Sequence, residues 1–279
     1  MSEQKGEPSD SRSTVRRVTR LLAALSAADS DGLPAAELAR RAELHPATAH
    51  RLLVELEREG VTVRRAGNRA WAMGGVVLGW GEAARRQQSG RSQFHDALRS
   101  IGKATSETVV LTVREGGYGT HTDLVVSPTG LRIVERIGLR LPLTVGASRR
   151  VILAFLAEAE QQRILSRHVP DGTHRQWLRS SLDLTKDLGF CVSAGEVTAH
   201  SVGIAVPLLT NGVATASIMV GGPALRMTVS DLGSALEAMK AIIRPSDLLP
   251  PLDVERTAEA LTAAQELRQQ IPTATADRA

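Results

Sequence analysis

The residues best placed to do chemistry are Ala47, Thr48, His50 and Arg51, in the run HPATAHRLLVELEREG from His45 to Gly60. Ala49, Leu52, Leu53 and Leu56 fall at i, i+3, i+4 and i+7, the spacing of an amphipathic helix. Pro46 suits its first turn and Gly60 stands where a helix stops. With the apolar stripe turned to the protein, the other face carries Ala47, Thr48, His50, Arg51, Glu55 and Arg58. Small and polar side chains at an N-terminal turn are what a helix needs to approach base edges and phosphates. A solvated surface helix has the same pattern, so the neighbouring elements decide.

Just upstream, Ala35, Leu38, Ala39 and Ala42 repeat the spacing, with Pro34 at the first turn. Glu43-Leu44-His45 is too short for anything but a tight turn, which predicts a helix-turn-helix. An earlier helix is marked by Val18, Leu21, Leu22 and Leu25, with Arg16, Arg17 and Arg20 outside. After Gly60 the period changes. Val61–Arg65 and Arg69–Met73 read as strands about an Ala66-Gly67-Asn68 turn. A hairpin behind three helices is a wing, and Arg64, Arg65, Asn68 and Arg69 make its tip basic enough for phosphates or a minor groove. The expected DNA-binding face is therefore Thr14, Arg17, His45, Ala47, Thr48, His50 and Arg51 with Arg64, Arg65, Asn68 and Arg69.

Other chemistries find little support. The sequence has no HExxH, CxxC, GxGxxG or Walker pattern. Gly116-Gly117-Tyr118-Gly119 lacks the following helix of a phosphate cradle, and Ser148 in GASRR is not in a GxSxG elbow. His168 and His174 flank a Pro-Asp-Gly turn and lack a third ligand. No catalytic residue, metal or cofactor is expected. The alternative to a DNA-binding regulator is a small-ligand sensor without operator recognition, and the basic wing discriminates between them.

Composition sets the frame. The 279 residues allow about two domains. Aromatics are only 3%, so the cores must be built from Leu, Val, Ile and Ala. A formal net charge of +4 is compatible with nucleic acid without requiring it. The single cysteine, Cys191, excludes an intrachain disulfide, which suits a reducing cytoplasm. No apolar run approaches the roughly 20 residues of a membrane helix, and no signal peptide is evident.

Beyond the wing, Val76 to Ser100 is helical in composition, with a weak spot at Ser89-Gly90; Val76, Val77 and Trp80 mark it as the expected dimer seam, although a core place for Trp80 is preferred over a partner anchor. Strands are predicted at Glu107–Arg114, Thr120–Val126, Leu131–Ile137, Gly189–Ser193, Val202–Leu209 and Val213–Val220. Asn211-Gly212 is the strongest hairpin signal. Gly146–Leu156 reads as a loop opening into a helix. Further helices are predicted at Glu158–His168, Thr173–Leu188, Thr228–Ile243 and Asp253–Gln270. Strands with helices between and after them imply an α+β domain with an antiparallel sheet.

With both halves read, the chain resembles the IclR family of bacterial transcriptional regulators over roughly 13–244. The first half carries the resemblance in the order helix, helix-turn-helix, wing, and in ATAHRLLVELEREG. The second half carries it in LRLPLTVGASRRVILAFL (Leu139–Leu156), GFCVSAGE (Gly189–Glu196) and the hairpin ending in Gly221-Gly222-Pro223. Residues 1–12 are polar and are expected to be a disordered tail. The resemblance implies a winged helix-turn-helix over 13–75, a helical linker over 76–100 and a GAF-like effector domain over 101–247. An added helix and tail occupy 248–279. It also implies a homodimer or homotetramer on a palindromic operator in double-stranded DNA, with repression expected over activation, and control by a small effector.

The expected effector pocket has an aliphatic wall of Leu131, Ile133, Leu141 and Leu143 and a loop of Gly146, Ala147 and Ser148. Ser193, Ser201, Gly203, Met219 and Gly221 face that loop. The family's loop usually reads GASGKA, and here Arg149 and Arg150 replace Gly-Lys. Either they compensate an anionic ligand or they lie on the outer face of the helix, the reading preferred because Val151, Ile152 and Phe155 need the inner face. With Ser193 where the family often has an acid, the ligand is expected to be neutral or anionic.

Overall fold

The computed structural model describes residues 13–28, 31–67, 69–87, 91–169, 172–243 and 248–270. The polar tails, Asn68 and the Ser89-Gly90 weak spot lie outside the described residues. The chain forms two compact units, 1–89 and 90–279.

In the first unit, α1 (Thr14–Ser26), α2 (Ala35–Arg41) and α3 (Pro46–Arg58) precede a hairpin of β1 (Thr62–Arg64) and β2 (Trp71–Met73). Leu21, Leu25, Leu38, Ala39, Ala49, Leu52 and Leu53 form one core, closed beneath by Trp71. Leu33 pairs with Trp71 through both backbone groups and anchors the segment between α1 and α2 to the wing. Gly60 ends α3 at φ 72°, a conformation that favours glycine. A Cβ on Gly60 would lie 2.9 Å from Val76 Cγ2, and one on Gly74 would lie 2.0 Å from the Gly60 carbonyl oxygen. Val76 opens α4 (Val76–Gln87), which buries none of its side chains in this chain. Trp80, expected in a core, is 56% exposed.

The second unit begins with α5 (Arg91–Thr105), so the stretch expected to be helical from Val76 to Ser100 holds two helices, one on each side of the Ser89-Gly90 weak spot. Leu98 and Ile101 of α5 are fully buried, which puts this half of the linker in the second core. The sheet follows: β3 (Thr108–Glu115), β4 (Tyr118–Val125), β5 (Arg140–Pro142), β6 (Cys191–Ala194), β7 (Ser201–Thr210) and β8 (Val213–Pro223). Its order is β5-β4-β3-β8-β7-β6, and every pairing is antiparallel. Asn211 and Gly212, both at positive φ, make the β7–β8 turn.

Both faces of the sheet are covered, so its central strands read as nearly continuous apolar runs. Val109, Leu111, Ile204, Val206, Ile218 and Val220 face α5 and α9 (Val229–Ile242). Val110, Ala205 and Met219 face the layer of α6 (Ala147–Ala154), α7 (Glu158–His168) and α8 (Thr173–Leu188). The last helix, α10 (Thr257–Gln270), places Ala260 and Ala264 in the α9-side core.

The strand expected at Leu131–Ile137 does not form. Leu131, Val134 and Ile137 are exposed while Ile133 is buried, a pattern with no two-residue alternation. Arg226 instead holds the start of this segment, donating to the Leu131 carbonyl at 2.8 Å and to Thr129 Oγ1 at 3.1 Å. The strand beside β4 is the shorter β5, where Leu141 pairs with Gly119.

Candidate DNA-binding face and effector pocket

The first site is built on α3. His45 is its N-cap, and its Nδ1 accepts from the Ala47 amide at 3.3 Å, so one ring nitrogen serves the helix end. Ala47, His50 and Arg51 are exposed and Thr48 is half-buried. The wing is fixed against this helix. Thr62 Oγ1 donates to the Leu53 carbonyl at 2.9 Å. The His50 ring stands edge-on to Trp71 with centroids 6.2 Å apart, and the Arg64 guanidinium lies 5.9 Å from the same ring. One buried tryptophan thus sets the spacing between α3 and the wing.

Arg64, Arg65 and Arg69 are exposed at the wing, and Arg69 takes φ 54° in its turn. Thr14 is exposed at the start of α1 and Arg17 is half-buried one turn on. Charge is distributed unevenly over this face. Arg40 and Arg41 both hydrogen-bond Glu37, holding its carboxyl down at about 2, so these cations are neutralised within α2. Arg51, Arg58 and Arg69 have no acidic partner among the described residues. The face therefore keeps unpaired positive charge where α3 and the wing present it.

The second site is a narrow cavity of about 20 Å³, room for about one water molecule as its side chains stand, so a larger ligand needs its walls to move apart. It lies between the start of α6, the β6–β7 turn, β8 and the irregular segment carrying Ile133. The structure brings Ile133, Gly146, Ala147, Ser148, Ser193, Ser201, Gly203 and Met219 together around it. Leu131 is a correction: it is 60% exposed, because its segment is held by Arg226 at the carbonyl and turns the side chain outward. Leu141, Leu143 and Gly221 are buried but do not line the cavity. Gly221 abuts Ile133, whose Cδ1 would lie 2.7 Å from an added Cβ. Leu143 packs beneath α6 in the core.

The outer-face reading of the arginine pair is also corrected: Arg149 is 1% exposed and Arg150 is fully buried. An eight-residue helix enclosed on all sides has no outer face, and the polar groups around it supply partners. Arg150 makes two bonds of 2.7 Å to the Glu196 carboxylate and one of 3.0 Å to the Val192 carbonyl. Glu196 Oε2 also accepts from the Gly146 amide at 3.1 Å, so this chain's own carboxylate occupies one donor of the helix start.

Arg149 donates from Nε to the Gly119 carbonyl at 3.1 Å and from Nη2 to the Leu139 carbonyl at 3.3 Å. Its Nη2 also lies 2.9 Å from His121 Nε2. A guanidinium can only donate, so His121 Nε2 accepts and its proton sits on Nδ1, 3.4 Å from Glu135 Oε2. Burial, reinforced by the Arg149 charge, holds the His121 imidazole well below its ordinary 6.5, so it is neutral. Burial raises the Glu135 carboxyl and lowers Arg149 to about 10, which leaves the guanidinium charged at neutral pH.

Six lining residues were not anticipated from the sequence: His121, Glu135, Glu196, Val197, Thr198 and Val202, while Arg149 entered only through the less favoured reading of the arginine pair. Glu196 lies in the quoted GFCVSAGE motif, which could have flagged it. His121 and Glu135 carry no local signal, since a strand register and an irregular segment bring them in.

Two family models match the chain: the IclR helix-turn-helix domain over residues 14–66, and the bacterial transcriptional regulator IclR C-terminal domain over 85–246. The probable transcriptional regulator SauR of Cupriavidus necator is 31% identical over 77% of this chain and 88% of its own length. The transcriptional repressor IclR of Escherichia coli is 26% identical over 82% of this chain and 89% of its own. Among solved structures, an IclR regulator from Alicyclobacillus acidocaldarius matches with TM-score 0.65 at 20% identity, over 90% of this chain and 98% of that one. An IclR homologue from Microbacterium hydrocarbonoxydans, complexed with 4-hydroxybenzoate, matches with TM-score 0.62 at 23% identity, over 82% and 97%. The helix-turn-helix implies DNA binding, and the chain belongs to the IclR family of transcriptional regulators.

Proposed function

We propose that the chain is a cytoplasmic repressor that binds a palindromic operator as a homodimer or homotetramer and is controlled by a small anionic effector in the α6 cavity. On DNA, Ala47, Thr48, His50 and Arg51 read the major groove while Arg64, Arg65 and Arg69 hold backbone or minor groove. The Escherichia coli relative named a repressor supports the sign of regulation.

The observation that carries the effector reading is Arg149. Its Nε and Nη2 are engaged, but Nη1 donates to nothing among the described residues and lies 3.9 Å from where a Cβ on Gly146 would sit, at the cavity wall. A charged donor that opens onto the cavity without a protein acceptor favours a ligand that supplies one. Serine and threonine hydroxyls and Glu135 complete a wall suited to an anion that also carries hydroxyl groups. Binding alters DNA affinity only by the difference in ligand affinity between the DNA-competent arrangement and the other one.

The test is a thermal-shift screen of small carboxylates followed by operator gel shifts. A hit should lose binding in Ala147→Leu, Gly203→Leu, which fills the cavity, since a Cβ on Gly203 already lies 3.1 Å from Met219 Sδ. A hit that still binds and still alters DNA affinity in that protein places the pocket elsewhere. Arg51→Ala should weaken operator discrimination by about 1–3 kcal/mol. Arg65→Ala should weaken all DNA binding and flatten its salt dependence.

A further inference from the structure

The segment after residue 248 lies beyond the stretch that the family model matches. Its helix α10 does more than cover a sheet edge. β6 is an outer strand, and the α10 segment fastens it at both ends. Before β6, the Asp253 amide donates to the Leu188 carbonyl at 2.9 Å, and Gly189 is packed so closely that a Cβ would lie 2.0 Å from the Pro251 carbonyl oxygen. After β6, Arg268 Nε donates to the Gly195 carbonyl at 2.9 Å.

Gly195 opens the turn that roofs the cavity. Glu196, Val197 and Thr198 line it, and Val197 Cγ2 would lie 3.0 Å from a Cβ on Gly146. The turn begins and ends on residues in the left-handed region, Gly195 at φ 67° and His200 at φ 58°. Its far end is held by the Ala224 amide, which donates to the His200 carbonyl at 2.8 Å. Residues 195–200 therefore form a flap, closed at its base where the Gly195 amide donates to the Ser201 carbonyl at 2.8 Å. Glu196 ties its inner side to Arg150 and the Gly146 amide. Its outer side at Gly195 is tied by α10.

We propose that α10 is a latch on this flap: Arg268 holds the Gly195 end shut over the cavity, and ligand entry requires that contact to open. The proposal rests on the reading of the cavity as the effector site. Arg268 is a positioning residue, acting through the turn and not on the ligand. The arrangement makes effector access depend on a helix outside the family's own domain.

Ser148, at 1% exposure on the cavity wall, gives a reporter that needs no effector. In the full-length protein carrying Ser148→Cys, modification by methyl methanethiosulfonate reports how often the flap opens, with Cys191 in the unsubstituted protein as the background. Adding Arg268→Ala should speed that modification at least about tenfold, the ratio for losing one hydrogen bond from a charged donor, since Arg268 has a further contact besides Gly195. Amide hydrogen exchange in the otherwise unaltered protein should rise with Arg268→Ala in 195–200 and stay unchanged in β7 and β8. An unchanged labelling rate overturns the latch. So does exchange that rises evenly through the sheet, because Arg268 would then only stabilise the domain. Neither result bears on whether a carboxylate binds the cavity, so the latch and the effector reading fail separately.

Discussion

Gly119 makes room for Arg149. A Cβ on this β4 glycine would lie 3.0 Å from Arg149 Cγ and 2.9 Å from Thr112 Cγ2, and the Gly119 carbonyl accepts from Arg149 Nε. Arg149 thus depends on a glycine in the facing strand. Gly119→Ala should destabilise the second unit by about 1–3 kcal/mol, as overpacking of a filled core does. It should also weaken the binding of any effector held by Arg149. Chemical denaturation checks the first effect and calorimetry with a ligand from the carboxylate screen checks the second.

The Arg150–Glu196 pair is fully buried on both sides. Arg150→Met leaves Glu196 without its countercharge and should cost about 3–5 kcal/mol. The double change Arg150→Met, Glu196→Leu removes both charges and should be clearly milder than Arg150→Met alone. Urea unfolding of the three proteins measures the difference. Equal costs for the single and double variants would show that the charge pair does not dominate this site.

Burial keeps His121 neutral, with its folded pKa well below 6.5. The unfolded chain therefore takes up a proton below 6.5 that the folded chain does not. Stability from this group is intact above 6.5 and falls as the pH drops below it, by at most about 1.4 kcal/mol per pH unit. Glu135 acts in the opposite sense: its carboxyl is raised above 4.5, so the folded state gains from protonating it as the pH falls towards 4.5. His121→Gln should flatten the loss of melting temperature between about pH 6.5 and pH 5 without abolishing acid unfolding lower down. An unaltered pH profile would mean that His121 is charged in the fold.

Val76, Leu78 and Trp80 are all exposed on α4. A run of large apolar groups on one helix fits burial against a second copy. Leu78→Glu, Trp80→Glu should shift the protein towards monomer in sedimentation velocity at micromolar concentration and weaken operator binding, since one winged helix makes a small interface. Unchanged assembly and unchanged affinity would remove α4 from the seam.

The first unit was legible because each of its elements has a local signature. Leu38 and Ala39, Leu52 and Leu53, and the Gly60 stop all mark helices by spacing alone. In the second unit Asn211-Gly212 and the apolar runs of β7 and β8 were equally readable. The failures share a cause. Leu131–Ile137 has the composition of a strand, but Arg226, remote in sequence, takes its carbonyl and leaves it unpaired. Arg149 and Arg150 look like surface residues because charge is normally solvated. Their burial depends on Glu196, His121 and carbonyls of three strands or turns, partners no local pattern announces. Trp80 fails in the other direction: it has the size of a core residue, yet it stands 56% exposed on α4.

The glycine contacts at the end of the recognition helix have a mechanical consequence. Gly60 and Gly74 bring backbone against backbone, and Val76 sits directly on Gly60, so no side chain cushions the join between α3 and α4. Close-packed atoms at such distances barely compress. A torque applied along α4 therefore reaches α3 almost undiminished, as through the arm of a crank. Any rotation of α3 should then follow the swing of α4, and not slack in the joint.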